Sequence, residues 1–275
     1  MKKKWLSYPY MIWMLIFIVV PMALILFYAF TVKDGESIRF SLANFQKFCQ
    51  PVYLKVAWRS ITLALYCTVG CFLLGYPLAM ILSSKEFVKK RMLLMLLVLP
   101  MWMNILLRTY AWMTLLEKNG LINTFLGYFG FGPYQFLYTD LAVVVGMIYN
   151  FLPFMVLPIY SVLVKMDQSV IEAAEDLGAN RWTVFRKIVF PLSIPGVMSG
   201  VVMVFMPAVS TFIISRLLGG GQFSLIGNLI EQQFLWVGDW HFGSALSIVM
   251  MVLILISTAI LNHYDQDNEG VGGLW

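Results

Sequence analysis

Charged side chains are scarce in this sequence of 275 residues, where Asp, Glu, Lys and Arg together make up only 12%. A soluble globular domain carries about 25% charged and roughly 45–50% apolar residues. Here 60% of the residues are apolar and 16% are aromatic. The composition excludes a soluble, disordered or disulfide-stapled chain and predicts an integral membrane protein whose excess rings lie at the membrane interfaces.

Cysteine and histidine are also rare, and their spacing gives no sign of a catalytic or metal site. The cysteines are Cys49, Cys67 and Cys71, and the histidines are His241 and His263. Neither C-x-x-C nor H-E-x-x-H occurs, and no paired carboxylates lie in the apolar segments. An intramembrane enzyme, the alternative class, would need such a set within its spans. We therefore expect no catalytic residue and no metal.

The sequence also lacks a G-x-x-x-x-G-K-[ST] loop, which cradles nucleotide phosphates with backbone N–H groups. We therefore expect this chain to bind no cofactor of its own. Any energy from ATP has to come from a partner.

Six apolar runs are long enough to cross a bilayer. A helix that spans about 30 Å of hydrocarbon needs roughly 20 residues at about 1.5 Å each. The runs cover residues 11–30, 60–82, 92–115, 141–164, 196–218 and 243–262. We predict an all-α integral membrane protein with six transmembrane helices in a single domain, residues 1–275. Arg108 and Arg216 interrupt the runs, and we expect them to snorkel to an interface or to pair with Asp140 or Glu231.

Lys and Arg are distributed unevenly between alternate loops. With the N-terminus in the cytoplasm, eleven lie on the inner side and six on the outer side. The inner set is Lys2, Lys3, Lys4, Lys85, Lys89, Lys90, Arg91, Lys165, Arg181, Arg186 and Lys187. Cytoplasmic loops carry the excess of Lys and Arg, so we predict that both termini are cytoplasmic. The net charge of +5 then reflects these loops, and we expect no nucleic-acid partner.

The loop at residues 165–195, between the fourth and fifth spans, has the pattern of a short helix. Ser169 and Glu172 form an S-x-x-E capping box, which predicts a helix that begins at Val170. Small residues, Ala173 and Ala174, lie at the centre of its apolar face. They permit close approach of another backbone, as docking into a protein groove requires. The alternative is an amphipathic helix that lies on the membrane surface.

Glycine and proline set the expected ends of the helices in this loop. Gly178 is placed to stop the first helix, because glycine tolerates the left-handed conformation after a helix. A second helical stretch is expected from about Asn180 to Pro191, where proline ends it.

The same loop resembles the EAA motif of ABC-importer permeases, E-A-A-x-x-x-G-x9-I-x-L-P. The matching residues are Glu172, Ala173, Ala174, Gly178, Ile188 and Pro191, with Phe190 in place of the usual leucine. The motif stands before the penultimate span, as in that family. The resemblance implies that this segment is a cytoplasmic coupling helix, which sits in a cleft of an ATPase and transmits its closure to the spans.

Further segments resemble the PotB-type permeases of spermidine/putrescine importers. They are residues 75–79 (GYPLA), 99–102 (LPMW), 152–158 (LPFMVLP), 225–228 (LIGN) and 239–240 (DW). The resemblance covers nearly the whole chain and implies a type I ABC-importer permease fold in the bacterial cytoplasmic membrane. It also implies several partners: a second homologous permease, a dimeric cytoplasmic ATPase that uses ATP and Mg, an extracytoplasmic substrate-binding protein, and membrane lipid.

Polar residues at membrane depth are candidates for a substrate path. These are Asn104 in the third span, Asn150 in the fourth, and Ser210 and Thr211 in the fifth. Interhelical hydrogen bonding is an equal alternative for such residues.

Acidic and aromatic residues on the outer side are further candidates. A polyamine needs carboxylates and aromatic faces to replace the water around its ammonium groups. The acids are Glu117, Asp140, Glu231 and Asp239, and the neighbouring rings include Trp112 and Trp240. Ordinary interfacial anchoring is the alternative.

Two other transport functions stay open at this point. One is an ABC permease for another small solute, such as an amino acid, phosphate or an iron complex. The other is a channel or secondary transporter that needs no ATPase, against which the EAA-like loop argues.

Overall fold

A computed structural model describes residues 8–34, 37–84 and 90–272, and in these residues the chain is mostly helical. The one sheet described is an antiparallel hairpin of β1 (Thr31–Asp34) and β2 (Ser37–Phe40), which pairs Thr31 with Phe40. This hairpin is a small departure from the predicted all-α class. Lys2, Lys3, Lys4, Lys85 and Lys89 of the predicted inner set lie outside the described residues.

The first half of the chain forms two long spans and a broken one. The helices are α1 (Tyr8–Met14), a π-helical turn (Leu15–Val19), α2 (Val20–Ala29), α3 (Ala43–Phe48), α4 (Pro51–Ser83), α5 (Lys90–Val98), a 3-10 turn (Leu99–Trp102), α6 (Ile105–Leu116) and α7 (Leu121–Tyr128). α4 carries Pro51 in its first turn, where the missing N–H would have no intrahelical partner.

The second half contains the core spans and the cytoplasmic loop. Its helices are α8 (Asp140–Lys165), α9 (Gln168–Asp176), α10 (Arg181–Val184), a π-helical turn (Phe185–Val189), α11 (Phe190–Ser210), α12 (Ile213–Leu218), α13 (Ile226–Gln232), a second π-helical turn (Gln233–Val237) and α14 (Trp240–Gly272). α8 matches the predicted fourth span to one residue at each end. Its start is capped by Thr139, whose Oγ1 accepts from the N–H of Ala142 at 3.2 Å.

Within the described residues, five helices are long and apolar enough to cross a membrane, and the count is six if the bent third span is included. That span differs from the straight helix expected over residues 92–115. Its two parts, Met92–Trp102 and Ile105–Tyr128, meet at an angle of 101°. Pro100 lacks a donor and disfavours helical geometry in Leu99. Asn104 then restarts the helix as the cap of α6.

The fifth span also differs from the expected range, residues 196–218. Its helix runs over Arg181–Ser210 and then breaks before α12. The expectation that Pro191 ends the loop's second helix is wrong. Proline is tolerated in the first turn of an α-helix, and the π-helical turn before Phe190 makes Pro191 the second residue of α11.

Three helices, α4, α8 and α11, form the core, and glycines bring their backbones together. A Cβ on Gly200 would lie 2.8 Å from Sδ of Met155 and 3.1 Å from its carbonyl oxygen, and one on Gly75 would lie 3.1 Å from Met155 Cγ. Gly196 likewise packs against the carbonyl of Pro158. The G-x-x-x-G pair of α11 is therefore a contact within this chain. α14 packs on α2 outside this core, through Ala29 and Ala245.

Candidate functional site

The loop helix α9 is present, but its cap is not the one predicted. It begins at Gln168, with Asp167 as N-cap: Asp167 Oδ1 accepts from the N–H of Ser169 at 2.9 Å. The capping box of Ser169 and Glu172 is therefore wrong. A carboxylate caps as well as a hydroxyl, and Asp167 stands where the chain leaves the extended conformation. Hydrogen bonds from the backbone N–H and the side chain of Ser169 hold the pKa of the Asp167 carboxyl below its ordinary value.

The expected stop of α9 at Gly178 is confirmed. Gly178 has φ +83°. Its N–H donates to Glu175 O at 2.9 Å, and the N–H of Ala179 donates to Ala174 O at 3.0 Å. These two bonds form a Schellman motif, which requires the left-handed residue. Asn180 then caps α10 by accepting from Thr183 N–H at 2.8 Å.

The apolar face of α9 has no partner within the described part of the chain. Leu177 is 90% exposed, and Val170 is also exposed. Ala173 is exposed and Ala174 is half-buried on the same face. Full burial of a leucine side chain stabilises by about 1.5–3 kcal/mol. A helix that leaves this surface open is built to be covered by another surface, either protein or membrane.

The EAA-like residues lie on three successive elements. Glu172, Ala173 and Ala174 are on α9, whereas Ile188 is in the π-helical turn and Pro191 is in the first turn of α11. The motif therefore extends from the loop helix to the start of the fifth span.

Two substrate-path candidates, Asn104 and Trp112, lie on α6, beyond the bend of the third span. Asn104 is exposed, and its Oδ1 accepts from Leu106 N–H at 2.8 Å, so it serves as a helix cap. Trp112 contacts Tyr149 of α8 edge to face, with ring centroids 5.4 Å apart.

Arg108 does not behave as expected. Its side chain is buried, and its Nε and Nη1 have no hydrogen-bond partner among the described residues. Neither Asp140 nor Glu231 reaches it, since both pair with other arginines. Arg216 does pair with Glu231, as one of the sequence-based alternatives expected.

Ser210 and Thr211 lie at the break between α11 and α12. Ser210 is the last residue of α11, and its Oγ donates to Met206 O at 3.1 Å. Thr211 is buried. The C-terminal carbonyls of a helix carry a partial negative charge, so this break presents acceptors to its surroundings.

Asn150 lies on α8, the helix that packs against α11. It is buried, its Nδ2 donates to Gly146 O at 2.7 Å, and its Oδ1 has no partner among the described residues. α8 and α11 are antiparallel, with Gly200 packed on Met155 and Gly146 packed on Ile214. Asn150 lies between these two contacts along α8, and Ser210 and Thr211 lie between them along the fifth span.

The short helix α13 covers the break. Asn228 donates from Nδ2 to Phe212 O at 2.9 Å, and its Oδ1 accepts from Ser215 Oγ at 2.5 Å. The N–H of Ile226 donates to Ser60 Oγ of α4 at 2.8 Å. Reasoning from the sequence missed these residues. Nothing in the sequence of the LIGN segment indicates that its asparagine donates a hydrogen bond to a backbone carbonyl 16 residues earlier.

Three ion pairs join the ends of the spans on the predicted outer side. Lys47 pairs with Asp239 at 3.3 Å, Arg59 with Asp140 at 2.7 Å, and Arg216 with Glu231. Exposed pairs of this kind contribute about 0.2–1 kcal/mol each. Their partners are far apart in sequence, so no spacing rule predicts them. Three of the four candidate acids, Asp140, Glu231 and Asp239, are thus paired with cations in this conformation.

The predicted outer surface also combines cations with rings. Lys47 Nζ lies 4.0 Å from the ring centroid of Phe242, and the guanidinium of Arg59 lies 3.8 Å from that of Phe223. Trp240 is half-exposed and contacts Phe234 edge to face. The rings of Phe242 and Phe223 thus contact cations of this chain itself, whereas Trp240 keeps an exposed ring.

Comparison with solved structures defines the class of protein. The fold matches a chain of the bacterial ABC transporter involved in the import of the acidic polysaccharide alginate, with a TM-score of 0.82, 20% identity, and coverage of 97% of this chain and 96% of that one. It also matches a chain of the MetNI methionine ABC transporter, with a TM-score of 0.56 and 14% identity over 80% of this chain and 96% of that one. The fold is that of an ABC-importer permease.

Comparison of sequences identifies the family. Residues 1–269 match the model of the binding-protein-dependent transport system inner membrane component, and the chain belongs to this family. It is 37% identical over 249 residues to the spermidine/putrescine transport system permease protein PotB of Haemophilus influenzae, covering 89% of this chain and 87% of that protein. It is 38% identical over 247 residues to PotB of Escherichia coli K12, covering 88% and 90%.

These findings confirm the resemblance to PotB-type permeases. The chain is a multi-pass inner membrane protein and one component of an ABC importer. It is a transport subunit rather than a catalytic one, because the family consists of membrane components of transport systems.

Proposed function

We propose that this chain is the permease subunit of an ATP-driven importer that moves polyamines, such as spermidine and putrescine, across the cytoplasmic membrane. The similarity to PotB proteins over nearly nine tenths of the chain carries this proposal. The alternative solutes, an amino acid, phosphate or an iron complex, have no such support.

The chemistry of the candidate path fits a cationic solute. Ser210 and Thr211 stand at the carbonyl end of α11, and Asn150 offers an unpartnered Oδ1 on the neighbouring helix α8. Acceptors and a helix C-terminus favour ammonium groups. On the predicted outer side, Glu231 and Asp239 with Trp112 and Trp240 form the entry, where an arriving ammonium group competes with Arg216 and Lys47 for the carboxylates.

The proposed partners are a second homologous permease, a dimeric cytoplasmic ATPase that uses ATP and Mg, and an extracytoplasmic binding protein. In this arrangement α9 is the coupling helix, and its exposed apolar face, with Leu177 at its end, docks in the ATPase. ATP-driven closure pulls on α9, and the permease pair opens outward. Delivered polyamine crosses, and hydrolysis resets the pair.

The loop with α9 and both termini lie in the cytoplasm in this proposal. The excess of Lys and Arg in the inner loops supports this orientation. The exposed apolar face of α9 supports it too, because the cytoplasm is where an ATPase can reach the helix.

The test is spermidine uptake into vesicles that contain this chain, its partner permease, the ATPase and the binding protein, with and without ATP inside. We expect saturable, ATP-dependent uptake that putrescine inhibits. If the complex assembles and hydrolyses ATP on stimulation but moves no polyamine, the proposed substrate is wrong. The assignment as an importer subunit is then unaffected. Uptake that needs no ATPase would instead indicate a channel or secondary transporter.

A further inference from the structure

A line of aromatic rings connects the loop to the core of the membrane domain. Trp182 of α10 stacks on Phe185, with centroids 5.5 Å apart and ring planes at 30°. Phe185 meets Tyr76 of α4 edge to face at 5.9 Å. Tyr76 is 5% exposed, and its hydroxyl lies 2.8 Å from Oγ of Ser193 on α11. The loop, α4 and α11 are therefore in continuous contact through four side chains.

Phe185 stands between two cavities. The first, of about 550 Å³, is lined by Ile171 and Glu172 of α9 and by the cytoplasmic end of α4. The second, of about 330 Å³, also has Phe185 in its lining, together with Phe72, Pro77 and Arg186. Both cavities are open to the outside of the chain. The ring is therefore not held on every side by close-packed neighbours, as a core side chain normally is.

The backbone at Phe185 is equally adaptable. Phe185 is the first residue of a π-helical turn, and the N–H of Phe190 donates to its carbonyl. Single π-helical turns inside α-helices are rare and often occur at functional sites. Pro191 follows at once and contributes no N–H to the helix. The junction between α10 and α11 is therefore a local irregularity in an otherwise continuous helix, with Phe185 at its loop end.

We propose that Phe185 transmits the movement of the loop to the membrane domain, its ring passing between the two cavities and displacing Tyr76. The Tyr76–Ser193 hydrogen bond then makes α4 and α11 move together. Phe185 and Tyr76 are positioning residues, since neither needs to touch ATP or the solute. The proposal rests on the proposed function, because it takes α9 and α10 as the contact with the ATPase.

The first test measures spermidine transported per ATP hydrolysed in the complete reconstituted importer. Phe185→Leu keeps an apolar side chain and removes the ring contacts, and we expect the ratio to fall at least fivefold while stimulated hydrolysis persists. Tyr76→Phe removes only the hydrogen bond and should lower the ratio about twofold.

The matched control is Tyr66→Leu, on the same helix as Tyr76 but exposed, which should leave the ratio unchanged. A normal ratio in Phe185→Leu would overturn the proposal, and so would a parallel loss of uptake and hydrolysis, which indicates a merely structural role. Neither result affects the proposed function, which depends on ATP-dependent uptake by the unmodified importer.

A second test avoids the loss of the ring. Fluorine NMR of 4-fluorophenylalanine at position 185 should show a changed resonance when the ATPase closes on ATP, since the ring enters a different cavity. The same label at position 125, on the exposed side of α7, should not respond. An unchanged signal at position 185 in an importer that transports normally would overturn the proposal.

Discussion

Gly178 determines the shape of the loop through its backbone alone. A Cβ at this position would meet nothing within 4 Å, so space does not explain the glycine. The reason is its φ of +83°. In this left-handed region, residues other than glycine, asparagine and aspartate are destabilised by about 1–2 kcal/mol.

We expect Gly178→Val to insert normally and to uncouple transport. Strain of about 1–2 kcal/mol lowers the equilibrium ratio of the native turn to its alternatives about five- to thirtyfold. ATP-dependent uptake with matched expression is the measurement. Gly178→Asn should retain most activity, since asparagine tolerates this conformation. Gly127→Val is the control, at a glycine with equal space and no positive φ. Full uptake by Gly178→Val would contradict the coupling role of the turn.

The outer ion pairs change how the acidic candidates are tested. Neutralising Glu231 and Asp239 by Glu231→Gln and Asp239→Asn leaves Arg216 and Lys47 uncompensated. We expect uptake of polyamines to slow several-fold, because the entry becomes repulsive to cations.

Removing the cations instead separates the two roles of these acids. Arg216→Gln with Lys47→Gln breaks the same ion pairs but keeps both carboxylates. Uptake should then stay normal or rise if the acids contact the substrate. An equal loss in both double variants would show that the ion pairs are structural.

Among the elements, α9 has a single cap that decides its stability. Asp167 holds this helix by accepting from Ser169, and the pKa of its carboxyl is lowered. A lowered folded-state pKa means that the cap stabilises the helix above the ordinary aspartate pKa of about 4. That stability is lost as the pH falls through the lowered value.

We expect Asp167→Ala to loosen α9 and Asp167→Asn to preserve it at all pH values, since asparagine caps without titrating. Amide hydrogen exchange over residues 168–171 at neutral pH is the measurement. Ser169→Ala serves as the comparison, because it keeps the amide that Asp167 binds and removes only the hydroxyl that also donates to Asp167. Faster exchange in Ser169→Ala than in Asp167→Ala would contradict Asp167 as the cap and support the S-x-x-E capping box instead.

For the whole molecule, the orientation in the membrane decides which partners reach which surface. Cys49 is exposed, whereas Cys67 and Cys71 are buried. We expect a membrane-impermeant maleimide to label Cys49 from the outside of cells. In a Cys49→Ser background, Leu177→Cys should be labelled only in inside-out vesicles.

Assembly gives this experiment a second readout. The ATPase should protect Leu177→Cys from labelling if it covers the apolar face of α9. Labelling of Leu177→Cys from the outside of cells would show that the orientation in the membrane is the reverse of the predicted one. Labelling inside that the ATPase does not reduce would favour a helix on the membrane surface.

The sequence by itself determined the membrane class, the positions of most spans, the loop helix, its stop at Gly178 and the relationship to ABC permeases. These features depend on local properties: runs of apolar residues, the backbone freedom of glycine, and a motif of fixed spacing. Tertiary structure alone decided the bend at Asn104, the break at Thr211 and the course of α11 beyond Pro191. It also decided the pairing of Asp140 with Arg59 and of Asp239 with Lys47, and the contact of Phe185 with Tyr76, because such features depend on residues far apart in the chain.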